Sequence, residues 1–105
     1  MHDQVSLEIA RRIASELPRR PEWLAIARSN LDRWTAHNRG SSRLVRCDDE
    51  WRAVLARPVA EICAILTTTT DEGQRLRQNS PFVGVLPESA VNEIKARLGH
   101  GQNAA

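Results

Sequence analysis

The chain has 105 residues, of which 41% are apolar and 27% are charged, and its net charge is +2. This length and balance fit one small globular domain and exclude an intrinsically disordered chain. No apolar run approaches the roughly 18 residues that a membrane span needs, and charged residues stand at the N-terminus where a signal peptide would be apolar. We therefore expect a cytoplasmic protein with no membrane segment.

Two amphipathic helices are predicted in the first part of the chain. The first runs from about Asp3 to Leu17, because apolar side chains recur every four residues, and Pro18 ends it. The second begins with Pro21, whose missing N–H costs nothing at the first helical position. Gly40 is expected to be the C-cap of this second helix.

The middle of the chain predicts a loop and two short helices. The loop covers residues 40–46, and a helix follows that opens at residue 47 or 48 and ends near Ala56. Pro58 is expected at the first position of the next helix, whose apolar residues follow the helical spacing closely. The run of threonines at 67–70 ends this helix, because stiff β-branched side chains weaken a helix and their hydroxyls favour caps and turns.

The last part of the chain predicts two more helices separated by an irregular segment. Thr70 or Asp71 caps a short fifth helix, and residues 82–86 are extended or irregular. A last helix opens at Pro87, and Gly99 is expected to end it, which leaves a frayed tail at about 99–105.

Strand signals are nearly absent from the chain. No alternation of apolar and polar residues of strand length appears, and the single extended piece at 82–86 cannot form a sheet alone. The predicted fold class is therefore all-α. We expect a single compact domain of about six short helices that spans residues 1–105.

No set of residues with the spacing of a catalytic or metal site is apparent. The three histidines stand apart, and neither Cys47 nor Cys63 belongs to a metal-binding motif. Both cysteines are expected to be reduced, and Cys63 to be buried and inert. The acidic residues at 48–50 are interpreted as helix-start residues that complement the helix dipole rather than as an acid–base pair. We therefore predict no metal, no cofactor and no enzymatic activity.

The basic residues are concentrated in the first half of the chain. Nine arginines lie between Arg11 and Arg46 against three acidic residues, and fourteen of the fifteen basic residues are arginine. Arginine makes forked contacts with carboxylate or phosphate groups. Arg39, which adjoins the predicted loop, and Arg43 and Arg46 within it would follow a phosphate backbone, which gives one functional alternative: a small DNA-binding transcriptional regulator. The mild net charge and the interleaved acidic residues argue against this alternative.

The segment from Arg75 to Leu86, RLRQNSPFVGVL, favours a protein partner instead. It holds basic residues, side-chain amides and the only Phe, and Gly84 would permit close approach. Trp and Arg are also enriched at binding hot spots, and Trp23, near a helix start, is expected to be partly exposed. The residues predicted to contact a partner are Arg75, Arg77, Gln78, Asn79, Ser80, Phe82 and Trp23. For Phe82 a second interpretation stays open, in which it folds back with Leu86 to close the protein's own core.

Four segments of the chain resemble a group of small bacterial helical proteins: LEIARRIA, PEWLAIARSNLDRW, DEWRAVLARPVAEICAIL and EGQRLRQNSPFVGVL. The resemblance covers the chain from Leu7 to about Leu98, and RLRQNSPFVGVL is its most specific part. The resemblance implies that the chain is the antitoxin of a two-gene toxin–antitoxin module. From the residues and the resemblance together, we expect a protein-binding module, most concretely an antitoxin-like inhibitor that masks a toxin or effector enzyme by steric occlusion. The DNA-binding alternative is compatible with this role if the protein also represses its own operon.

Overall fold

The computed structural model describes the backbone of residues 2–103 and the side chains of residues 4–98, and all regular structure in this range is helical. The α-helices in this range are α1 (His2–Glu16), α2 (Glu22–His37), α3 (Ser42–Leu55), α4 (Val59–Thr67), α5 (Asp71–Arg77) and α6 (Glu88–Asn103). A short 3₁₀ turn, Leu17–Arg19, links α1 to α2. The predicted all-α fold is confirmed. None of the described helices combines the length and the apolar character that crossing a bilayer requires.

Proline and threonine lie at several helix boundaries close to where the sequence predicts them, although Pro21 and Pro58 are N-caps rather than first helical residues. Pro18 falls in the 3₁₀ turn that follows α1, and Pro21 immediately precedes α2. Pro58 precedes α4 in the same way. At α5, the Thr70 hydroxyl accepts a hydrogen bond of 3.2 Å from the Gly73 N–H, which satisfies one of the free donors of the first helical turn.

The prediction of a loop over residues 40–46 is wrong from Ser42 onward, because α3 begins there. Ser41 has an extended backbone, and its side chain accepts a hydrogen bond from the Leu44 N–H. Ser41 is therefore an N-cap, and the helix starts several residues earlier than its acidic residues indicate.

Neither of the two glycines that are predicted to end a helix does so. The C-cap of α2 is Asn38 rather than Gly40, and α6 runs through Gly99 to Asn103. Among the described residues, only Gly84 has a positive φ, at +85°, so neither predicted cap uses the left-handed conformation that favours glycine. A glycine inside a helix costs only about 1 kcal/mol, and no proline follows Gly99 to stop the helix. Part of the predicted tail is therefore helical, and residues 104–105 lie outside the described range.

The helices pack around one apolar core. α1 lies against α4 and also contacts α5 and α6, while α2 packs against α3. In this core the rings of Trp51 and Phe82 meet edge to face, with centroids 6.3 Å apart and an interplanar angle of 77°. The Trp51 indole N–H donates to the Leu76 carbonyl at 2.9 Å, so this large side chain is buried without losing its hydrogen bond. The core therefore joins α3 to α5 and to the segment after it.

Candidate functional site

The segment 75–86 divides between the core and the surface. Phe82 is only 2% exposed and packs in the core, whereas the next residue, Val83, is 65% exposed. Gly84 follows with its positive φ, and the two residues after it are buried again. The interpretation of Phe82 as part of the protein's own core is therefore confirmed. Val83 is the large apolar side chain that this segment leaves exposed.

A buried asparagine of α2 fixes this segment in place. The Asn30 amide donates hydrogen bonds to the carbonyl oxygens of Pro81, at 2.8 Å, and Val83, at 3.1 Å. The Asn30 side-chain oxygen accepts a hydrogen bond from Arg33. Because the Asn30 amide is buried, its hydrogen bonds replace those that water would otherwise supply. Val83 therefore projects from a backbone that is held at two nearby carbonyl groups.

Val83 borders an open groove of about 380 Å³ between the end of α2, the start of α3 and the segment after α5. The groove presents apolar, amide, hydroxyl and carboxylate groups from the side chains of Trp34, Asn38, Leu44, Asp48, Gln78, Asn79, Ser80 and Val83. Three of the residues predicted to contact a partner, at positions 78–80, are therefore brought together in one concave site. The sequence does not predict that α2 and α3 supply the rest.

Leu44 is a second exposed apolar side chain in this groove. It lies on the same side of α3 as Asp48, Trp51 and Leu55, which follow it at helical spacings of four, seven and eleven residues. These three residues are buried, whereas Leu44 is 39% exposed. The core-facing stripe of α3 therefore extends one turn beyond the core and ends in an uncovered apolar side chain.

Asp48 forms the polar floor of the groove. Only 3% of this residue is exposed, and its Oδ2 accepts hydrogen bonds from the Thr35 hydroxyl at 3.2 Å and from the Asn38 amide at 3.1 Å. Both donors belong to the end of α2, so the carboxylate links α2 to α3. Among the described side chains, no Arg, Lys or His forms an ion pair with it.

The two arginines predicted to contact a partner, Arg75 and Arg77, both form hydrogen bonds within the protein itself. Arg77 is buried and donates to two backbone carbonyls at the C-terminal end of α4. Arg75 donates to Glu50 of α3 at 3.1 Å and also pairs with Glu72. The hydrogen bond from Arg75 lowers the pKa of Glu72, and the bonds to Glu72 and Glu50 raise the pKa of Arg75. Both arginines therefore connect α5 to neighbouring helices.

Trp23 is buried, so the expectation that it is partly exposed is wrong. The residue is 7% exposed and belongs to the core, and the Arg20 guanidinium lies 5.7 Å from the centroid of its ring. A cleft beside the indole is also lined by Leu86. The end of segment 75–86 therefore returns to the start of α2 and leaves Trp23 little surface for a partner.

The arginines of the DNA-binding alternative, Arg39, Arg43 and Arg46, are all exposed. Arg43 and Arg46 belong to α3 rather than to a loop, and they lie about 100° and 160° around this helix from Leu44. None of the three arginines forms an ion pair within the described residues. The two arginines of α3 therefore lie on other faces of this helix than Leu44.

Comparisons with known proteins do not assign the chain to a family. No protein-family model matches it, and neither a curated protein nor a solved structure is significantly similar to it. In the part of the chain that the structure describes, no three His, Cys, Asp or Glu side chains lie close enough together to hold a metal ion. The resemblance to small bacterial helical proteins stays a prediction.

Proposed function

We propose that the protein is a protein-binding module, and most concretely an antitoxin-like inhibitor that neutralises a partner toxin or effector enzyme by steric occlusion. The groove between α2, α3 and the segment after α5 is the contact surface in this proposal. The observation that supports it most directly is that Val83 is exposed beside the groove. A hydrogen bond from the Asn30 amide to the Val83 carbonyl fixes its backbone there. Part of the partner enters the groove, and the surrounding helices cover the active site of the partner.

The composition of the groove fits a protein ligand. Val83 and Leu44 supply exposed apolar surface of the kind that protein interfaces bury at their centre. Trp34 lies beside them and is half-buried, and Trp is among the residues most enriched at binding hot spots. The polar side chains at 78–80 can hydrogen-bond a partner's backbone around this apolar contact.

The hydrogen bonds of Asn30 also favour binding. They fix the backbone of Pro81 and Val83 before any partner arrives. Ordering a mobile loop on binding costs conformational entropy, and a loop that is already ordered avoids most of that cost. Segment 81–83 is therefore suited to contact a partner without rearrangement.

Co-purification from the native host tests the proposal, with the intact chain tagged in its wild-type form and in two variants. Leu44→Lys puts a positive charge into the groove, whereas Ile26→Lys puts the same charge outside it, at a side chain of nearly equal exposure, 40% against 39%. We expect a stoichiometric protein to accompany the wild type and Ile26→Lys but not Leu44→Lys. The purified partner should lose activity when the wild-type chain is added. Absence of a partner from the wild type, or its equal loss from both variants, would contradict the proposal.

One observation supports a second candidate function, a DNA-binding regulator. The exposed charges of Arg39, Arg43 and Arg46 are not neutralised by ion pairs among the described residues, so they are available to phosphates. Binding of a labelled duplex should then weaken steeply with salt, and Arg43→Ala should reduce the slope of log K against log salt by about one. Undetectable or salt-independent binding would exclude this candidate.

A further inference from the structure

The Asp48 carboxylate is a charged group of the groove that forms no ion pair among the described residues. It is almost completely buried, yet its two hydrogen-bond donors, from Thr35 and Asn38, are both neutral and both contact the same oxygen. Within the described range, no basic side chain pairs with it. Buried carboxylates are usually paired, because neutral hydrogen bonds replace only part of the hydration that a full charge loses. The groove therefore contains a negative charge that is only partly compensated.

The end of α2 adds to the negative potential at this point. Thr35 lies in the last turn of α2, and Asn38 is its C-cap. The carbonyl groups at the C-terminus of a helix carry a partial negative charge of roughly half an elementary charge. A carboxylate beside such an end is unfavourable, and a cation there is favourable. Two separate features, the carboxylate and the helix end, thus favour a cation in the same place.

The walls of the groove suit the long stem of a basic side chain. Leu44 and Val83 offer aliphatic surface, and Trp34 offers aromatic surface in the groove that Asp48 also lines. Lys and Arg bury their methylene groups on such surface while the charged head reaches a polar partner. An aromatic ring can add a cation–π contact to the head group. The volume of about 380 Å³ exceeds that of one side chain and leaves room for the adjoining backbone.

We infer that the groove receives a lysine or arginine side chain of the protein partner, with its charged head paired to Asp48 and its stem against Leu44 and Val83. This inference rests on the proposed function, because it names the chemistry of the contact that the partner makes. A phosphate or an acidic side chain would meet the buried carboxylate and would be repelled. The groove therefore selects a basic protein segment over nucleic acid and over acidic peptides.

A random peptide library displayed on phage and selected against the immobilised intact chain tests the inference. We expect the peptides that bind the wild type to share a Lys or Arg beside an apolar residue. Asp48→Asn keeps the shape and an acceptor oxygen of the side chain but removes the charge, and it should weaken these peptides by at least about tenfold. Asp49→Asn removes the same charge from an exposed neighbour and should change the affinity by less than about twofold.

Changes in the peptide keep the test valid even if Asp48→Asn disturbs folding. Replacing its Lys by norleucine, or its Arg by citrulline, removes the charge while the protein stays wild type, and should cause the same loss of about tenfold. Groove-binding peptides without a basic residue, or equal losses in Asp48→Asn and Asp49→Asn, would overturn the inference and leave the proposed function intact. Peptides whose binding survives Leu44→Lys, or a selection that yields no peptide, would count against the groove itself as a contact surface.

Discussion

The side-chain amide of Asn30 donates a hydrogen bond of 2.8 Å to the carbonyl oxygen of Pro81, although the two residues stand 51 positions apart in the chain. The same amide also reaches the Val83 carbonyl. Connecting segments are usually the most mobile parts of a domain and often hold its binding residues. Here one buried amide fixes such a segment, so the stability of the fold and the geometry of the groove depend on the same group.

Loss of this amide should destabilise the protein. We expect Asn30→Ala to lower the free energy of unfolding by about 1–3 kcal/mol, because the Pro81 carbonyl loses a buried donor. Urea denaturation followed by circular dichroism measures the difference. Asn92→Ala, at an exposed position of α6, is the matched control and should change the free energy by less than about 0.5 kcal/mol. Equal effects of the two substitutions would show that the Asn30 amide does not stabilise the segment.

Two adjacent substitutions separate the core role of Phe82 from the surface role of Val83. Phe82→Ala should cost about 3–5 kcal/mol of stability, because it leaves a cavity against Trp51. Val83→Ala should change stability by less than about 0.5 kcal/mol and should still weaken binding of the partner. Thermal denaturation gives the first quantity and co-purification the second. A stable Phe82→Ala variant that no longer binds its partner would show that Phe82 belongs to the interface and not to the core.

The close approach of α5 to the end of α4 predicts that Gly73 cannot be replaced by alanine without cost. A Cβ atom at this position would lie 2.1 Å from Thr68 Cγ2 and 2.7 Å from the Thr68 carbonyl oxygen. Because the second clash is with backbone, α5 would have to shift, at a cost of about 1–3 kcal/mol.

Gly40→Ala is the control for this substitution. No heavy atom lies within 4 Å of its Cβ position, and its φ is not positive, so we expect a neutral effect or a gain of up to about 1 kcal/mol. Urea denaturation of both variants measures the contrast. Equal stabilities of Gly73→Ala and Gly40→Ala would contradict the close packing of α5 on α4.

The ion pair between Arg75 and Glu72 predicts a pH dependence on the acidic side. The hydrogen bond from Arg75 holds the pKa of Glu72 below its ordinary value of 4.5. Since folding favours the ionised carboxylate, the stability it contributes is present above the ordinary pKa and is lost as the pH falls through the lowered one.

A ¹³C NMR titration of the Glu72 carboxyl group measures this shift directly. In Arg75→Gln the pKa of Glu72 should rise toward 4.5, and added salt should reduce the shift in the wild type. Arg97→Gln removes an exposed arginine of α6 and should leave the pKa of Glu72 unchanged. A Glu72 pKa that is identical in the wild type and in Arg75→Gln would mean that the pair does not form in solution.

Helix boundaries are predictable from the sequence where a single residue decides them within one turn. Thr70 caps α5 as expected, and Pro58 lies within one residue of its expected place at the start of α4, because capping hydroxyls and prolines act on the adjacent backbone alone. The start of α3 is harder to predict, since Gly40, Ser41 and Ser42 are as typical of a loop as of a capped helix start. Packing of the later part of α3 against the core favours the helix, and that contact is not local.

The candidate site is only partly predictable, because its parts are distant in sequence. The polar run at 78–80 is visible in the sequence, whereas Trp34 and Leu44 join it only through the packing of α2 on α3. Asn30, in contrast, does leave a signal in the sequence. It is a polar residue within the apolar stripe of α2, three residues after Ala27 and four before Trp34, and such a position indicates a buried hydrogen bond.

Consecutive positions 82 and 83 hold a core side chain and an exposed one. Surface loops usually tolerate insertions and deletions during evolution. In this protein, a change of one residue in the length of the segment would turn Phe82 outward or Val83 inward and would displace the carbonyls that Asn30 binds. Relatives that adapt to different partners should therefore vary the side chains at positions 44 and 83 while the spacing between Pro81 and Leu86 stays constant.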